Sequence, residues 1–126
     1  MIVGLGSDLV AVDRVRRALD RNGERFLDRI LTAGERESAA GRQDPGLFVA
    51  SRFAAKEAAA KALGTGIHRG VRFRDLEVVR SPGNPPELRL HGGAAEHGRR
   101  LGVSRCHLTL SDEKGYALAT VILEGE

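Results

Sequence analysis

Glu57 and Lys61 stand four residues apart in the run Arg-Phe-Ala-Ala-Lys-Glu-Ala-Ala-Ala-Lys-Ala-Leu-Gly-Thr-Gly, residues 52–66. Read as a helix, the run stacks this acid and this ammonium on one face, with Phe53 one turn earlier on the same stripe. The pair then lies at the edge of a buried surface, where charge is costly unless it is paired or used. A carboxylate so placed can hold a metal ion or accept a proton, and an ammonium can offset charge that develops on a departing group. The choice of cation adds to this. Of 20 basic residues only Lys56, Lys61 and Lys114 are lysine, and two of those three fall in this run. A compact, rotatable ammonium is chemically distinct from a planar guanidinium. The same spacing also suits an ordinary Glu-to-Lys pair on a good helix. A second acid, Asp8, follows Gly4-Leu5-Gly6-Ser7 at the end of the first apolar stretch. Two carboxylates from separate elements, with substrate oxygens, are a common way to hold magnesium. Asp8 alone equally suits a turn or a cap, and the sequence leaves open whether the two acids meet.

Those residues must be positioned by a small framework. At 126 residues the chain has room for one domain, 1–126, with a modest core. Hydrophobic residues make up 41% and charged residues 29%, which suits a globular rather than a disordered protein. The longest apolar run, residues 116–123, is too short to span a bilayer, and Asp8 interrupts the only apolar stretch near the N-terminus, so no membrane anchor or signal peptide is expected. Cys106 is the only cysteine. An internal disulfide is excluded, and a cytoplasmic setting is the simplest expectation. A pI near 9.6 favours an acidic partner. Nucleic acid is the usual partner of a basic chain. Aromatic residues are only 4% with no tryptophan, and no zinc-finger spacing or RNA-recognition motif occurs, so a nucleic-acid-binding module rests on charge alone.

Local signals place most elements. Residues 1–6 read as a short strand, and Asp13 can cap a helix over 14–21 that Asn22-Gly23 ends. Thr32 and Glu35 have capping-box spacing. Asp44-Pro45 starts the longest helix, which runs to Leu63 before Gly64, roughly 28 Å at 1.5 Å per residue. Residues 71–79 and 87–91 read as strands around the Pro- and Gly-rich turn 81–86, residues 94–101 as a short helix, and 106–110 with 116–123 as a hairpin. Helices first and antiparallel strands later imply an α+β domain, a long central helix on a small, mostly antiparallel sheet. On the first helix, Arg14, Arg17 and Arg21 at i, i+3 and i+7 form a basic stripe that Arg25 and Arg29 extend; such a stripe is either a solvated face or a docking surface for an acidic partner.

The run 52–66 meets without a gap a motif of the holo-acyl-carrier-protein synthases, and the chain is identified as resembling that small bacterial type of 4′-phosphopantetheinyl transferase. Residues 4–10 resemble the family's opening Gly-x-Gly-x-Asp block, and weaker matches follow at 30–32 with Glu35, at 83–85 and through 107–119, so the likeness spans the chain in order. It implies transfer of the phosphopantetheine group of coenzyme A to a serine of apo-acyl carrier protein, in support of fatty-acid synthesis. It implies Asp8 and Glu57 as ligands of magnesium, and Asp8, Glu57 and Lys61 as the catalytic group, with Glu57 or water activated by the metal as the base. It further implies that Arg52, Lys61, His107 and the tight backbone of Gly64, Thr65 and Gly66 lie by coenzyme A, and that Arg14, Arg17, Arg21 and Arg25 meet the acidic carrier protein. For a single unit this short, the resemblance implies that the second half of the site comes from another subunit, in a homotrimer with sites at subunit boundaries. One departure stands out. Many members read Ser-His where this chain has Ser111-Asp112, so no phosphate role is carried to Asp112, and a catalytically inactive carrier-binding relative is the alternative.

Overall fold

A computed structural model describes all 126 residues. The chain runs through β1 (Ile2–Ala11), α1 (Val12–Asn22), α2 (Glu24–Ile30), α3 (Ala33–Ala39) and α4 (Pro45–Leu63). A 3-10 turn (Phe73–Asp75), β2 (Leu76–Val79), β3 (Glu87–Leu90), α5 (Gly92–Leu101), β4 (Val103–Glu113) and β5 (Tyr116–Gly125) follow. The expected α+β architecture is present. β1, β5 and β4 form an antiparallel sheet in that order, β2 and β3 form a separate hairpin, and α4 crosses the sheet over β1 and β5.

The signals set by neighbouring residues hold. Asp44 caps α4 through the Leu47 N–H at 3.1 Å, Pro45 occupies its first turn, and Gly64 ends it in the left-handed region at φ 81°. Thr32 and Glu35 close the capping box of α3. Several boundaries differ from expectation. Of residues 71–79 only Leu76–Val79 are strand, after the 3-10 turn, and α5 starts at Gly92 rather than residue 94. β4 and β5 extend beyond 106–110 and 116–123 because they pair with each other along most of their length. β1 continues to Ala11 because β5 pairs with it throughout, so Asp8 lies within a strand opposite Ala119 rather than at a strand end. α1 begins one residue before Asp13, whose side chain accepts from Arg16 within the first turn instead of capping the helix.

The Gly-x-Gly spacing of β1 has a packing cause. A Cβ at Gly4 would overlap the Ala62 carbonyl oxygen, and one at Gly6 the Ala58 carbonyl oxygen. Bare glycines on the strand facing small residues on the helix bring the two backbones together, which sets Asp8 beside the polar end of α4. The alanine-rich face of α4 (Ala54, Ala55, Ala58, Ala59, Ala62) is buried against the sheet, within one cluster of 25 buried apolar residues.

Lys56 sits at the centre of this core with no exposed surface. Its ammonium donates to Glu35 Oε1 at 2.7 Å, to the Phe73 carbonyl at 3.1 Å and to the Leu76 carbonyl. Three acceptors satisfy three N–H groups, so the ion is fully bonded. Burial pulls Lys56 below its ordinary value, and Glu35 opposes this. Glu35 also accepts from the Thr32 and Val78 amides at 2.9 and 2.8 Å. This one pair therefore ties α3, α4, the 3-10 turn and β2 together. Removing one partner of such a pair strands the other. Lys56→Met should accordingly lower the unfolding free energy in urea by about 3–5 kcal/mol, and adding Glu35→Gln should recover part of the loss.

The sheet has one covered face. On the other, cross-strand rows place Leu5 beside Ile122 and His107, and Leu9 beside Leu118 and Ser111. Leu5 and Leu9 are 65% and 62% exposed, and Tyr116 and Leu118 are exposed beside them.

Candidate active site

α4 carries Glu57 and Lys61 to the edge of β1, where Asp8 points at them. Lys61 donates to the Ser7 carbonyl at 2.9 Å and to Asp8 Oδ1 at 3.1 Å. Asp8 is close enough to act on Glu57 electrostatically. The Glu57 carboxyl is pushed above its ordinary value, first by burial and next by the Asp8 charge, while Lys61, Arg14 and His68 pull it back. The three residues expected to do chemistry therefore converge from two elements. Two mutually repelling carboxylates served by one lysine are a hard-oxygen donor set that a divalent cation would complete. No group of three or more His, Cys, Asp or Glu side chains comes together. A metal here would keep water or substrate oxygens in its remaining positions, as magnesium commonly does.

Glu57 opens onto a groove of about 380 Å³ between α1, α2 and α4. Its floor is aromatic: Phe53 stacks between Phe26 and Phe73, with ring centroids 6.5 and 5.4 Å apart. Its rim is cationic. Arg14 lies 5.8 Å over Phe53 and Arg29 5.9 Å over Phe73, and Arg21 lines the same space. Arg17 and Arg25 are exposed and lie off this groove. Of the two residues that extend the stripe in sequence, Arg25 and Arg29, Arg29 reaches the groove.

Beyond α4, Gly64-Thr65-Gly66 folds back on the helix end, with the Thr65 and Gly66 amides both donating to the Ala60 carbonyl. This turn delivers His68 to the neighbourhood of Glu57. His107 is elsewhere, on the open face of the sheet, 2.9 Å from Glu124.

Arg52 does not join Glu57. It lines separate grooves with Arg42 and Arg80. The side chain is 8% exposed, its Nε has no partner, and its guanidinium stacks on Phe48 at 4.1 Å, with Arg42 on the same ring at 4.3 Å. Burial, reinforced by Arg42 and Arg80, pulls Arg52 down to about 10, with Glu35 opposing. A buried guanidinium with an unpartnered donor and cationic neighbours has the chemistry to hold an anion. Sequence reasoning identified Arg52 but missed Arg42 and Arg80, which lie in the segments flanking the Asp44-Pro45 helix start and the Ser81-Pro82-Gly83 turn.

Paired carboxylates, an ammonium at their side and arginines held for anions are the equipment of a protein that handles phosphate-bearing ligands. A family model described as the 4′-phosphopantetheinyl transferase superfamily matches residues 4–121, and the chain belongs to that family. The chain is 55% identical over 123 residues to the holo-[acyl-carrier-protein] synthase of Halorhodospira halophila, covering 98% of each. The crystal structure of the synthase from Neisseria meningitidis superposes with a TM-score of 0.90 at 39% identity, covering 98% of this chain and 99% of that one. The synthase from Bacillus anthracis, solved in complex with CoA (3′,5′-ADP), gives 0.84 at 39% identity, with 100% and 99% covered.

Proposed function

We propose that this protein transfers the 4′-phosphopantetheine group of coenzyme A to a serine of an apo-acyl carrier protein, with magnesium, in the cytoplasm and in support of fatty-acid synthesis. The observation that carries the reading is the convergence of Asp8 and Lys61 with Glu57, which opens onto the arginine-rimmed groove. The serine oxygen forms a bond to the β-phosphorus of coenzyme A. The bond from that phosphorus to the bridging oxygen breaks, and adenosine 3′,5′-bisphosphate leaves with the electron pair. Asp8 and Glu57 would hold the magnesium ion, which when bound neutralises charge on the pyrophosphate. Glu57, or water activated by the metal, would take the serine proton. Lys61 offsets charge on the leaving phosphate.

The reading extends to assembly. Glu57 and Arg52 line grooves that share no residue, so Arg52 serves coenzyme A held by a neighbouring copy. The open apolar sheet face, with His107 on it, is the surface through which copies meet as a homotrimer. Gly64, Thr65 and Gly66 let the ligand approach the end of α4.

Intact-mass measurement of apo-acyl carrier protein after incubation with coenzyme A and magnesium is the direct test. A gain of one phosphopantetheinyl group is expected, and an unchanged mass would sink the proposal. Lys61→Arg tests the ammonium. A planar fork cannot reproduce two short bonds from one nitrogen to the Ser7 carbonyl and Asp8, so kcat should fall by roughly 10–100-fold with little change in thermal stability. Kinetics indistinguishable from the native enzyme would reduce Lys61 to a salt-bridge partner.

A further inference from the structure

The groove beside Glu57 does not end at Phe73. Arg29 and Phe73 also line a second, larger trough of about 760 Å³ that runs along residues 67–75. We infer that this trough is a second docking lobe for the protein acceptor, fitting a segment that presents carboxylates on either side of an apolar ridge. Val71 and Phe73 form a buried floor, and Arg29, His68, Arg72 and Arg74 stand exposed around it. One acid faces these cations. Asp75 is buried, already accepts the Arg72 amide at 3.0 Å, and lies 3.7 Å from the Arg72 guanidinium. It offsets at most one of them. A buried apolar floor within a ring of exposed charges is the anatomy of a protein-docking surface. The contrast with Arg52 is instructive. There a buried guanidinium keeps an unpartnered donor, which suits a small anion, whereas the trough has no buried donor left unpaired.

The segment is also held in shape before any partner arrives. Arg69 takes the left-handed region at φ 57°, which is uncommon for a residue with a Cβ. The Gly70 carbonyl rests against Gly93, where a Cβ would overlap it, and the Asp75 carbonyl accepts the His91 amide at 2.7 Å. A preformed surface loses little entropy when it binds. An acceptor seated with its serine at Glu57 spans both grooves, since the two share a wall. Arg72 and Arg74 would then determine which acceptor proteins are used.

This inference rests on the transferase reading and is tested apart from it. The double variant Arg72→Glu/Arg74→Glu should raise the KM for apo-acyl carrier protein by about 10-fold or more, because like charges then face each other across the contact. Its kcat and its KM for coenzyme A should stay within about 2-fold, and the loss of carrier affinity with rising salt should become shallower. Arg72→Gln/Arg74→Gln, which removes charge without reversing it, should fall between. Direct binding of apo-acyl carrier protein to each immobilised variant is measured in parallel. A carrier KM and affinity within about 2-fold of native in the reversed variant would overturn the lobe. So would a rise confined to the KM for coenzyme A, which would make the trough a nucleotide site. If the native protein transfers nothing, the reading itself fails, and the binding series alone decides the lobe.

Discussion

Asp8→Ala and Glu57→Ala should each lower transfer by roughly three orders of magnitude or more while the protein stays folded. Each substitution removes one of the two carboxylates proposed to hold the metal and none of the core volume. The stability of these variants is as informative as their activity. Glu57 binds its proton more tightly in the folded state than an ordinary glutamate does, because burial and Asp8 disfavour its charge. A carboxyl raised in this way loses folding stability as pH climbs from the ordinary carboxylate range through the raised value, and keeps it below that range. Glu57→Gln should therefore be at least as stable as the native protein at neutral pH without metal. That advantage should vanish once the pH falls below the ordinary glutamate value. Added magnesium should raise the melting temperature of the native protein and leave both alanine variants unmoved. Near-native turnover by either variant at low magnesium would remove the two-carboxylate assignment. A magnesium-dependent rise in melting temperature in Glu57→Ala would place the ion elsewhere.

What the sequence made legible divides by distance along the chain. The cap at Asp44, the proline at helix position one, the stop at Gly64 and the Thr32-Glu35 box depend on partners within four residues, and all stand as read. The end of β1 depended on β5, more than a hundred residues away, and was read five residues short. The scarcity of lysine did flag residues with unusual environments, but it could not separate their roles. Lys56 is enclosed by one carboxylate and two carbonyls in the core, and Lys61 is exposed beside Asp8. A point charge with three rotatable donors suits both places, since each offers convergent oxygens that a flat guanidinium would not meet. Arg42 and Arg80 carried no local signal at all. Only the fold brings residues from three segments around Phe48 and Arg52.

That separation of Arg52 from Glu57 leads to a test that a self-contained site and a shared site answer in opposite ways. Glu57→Ala and Arg52→Met are each expected to be nearly inactive alone. The first removes the proposed metal ligand, and the second keeps packing on Phe48 but removes the guanidinium proposed to hold the anion. When the two variants are unfolded together and reassembled in equal amounts, a site that draws its acids from one copy and its Arg52 from the next finds both native halves in about a quarter of cases. Activity should therefore return to about a quarter of the native level, from a background roughly 100-fold lower. If acids and arginine served the same site within one chain, no mixture could contain an intact site, and activity would stay at background. Native mass spectrometry must confirm that mixed assemblies form. Mixed assemblies without recovered activity would end the shared-site reading. Recovery would assign the open sheet face its role, because burying Leu5, Leu9 and Leu118 between copies is what would bring one chain's arginines to another's acids.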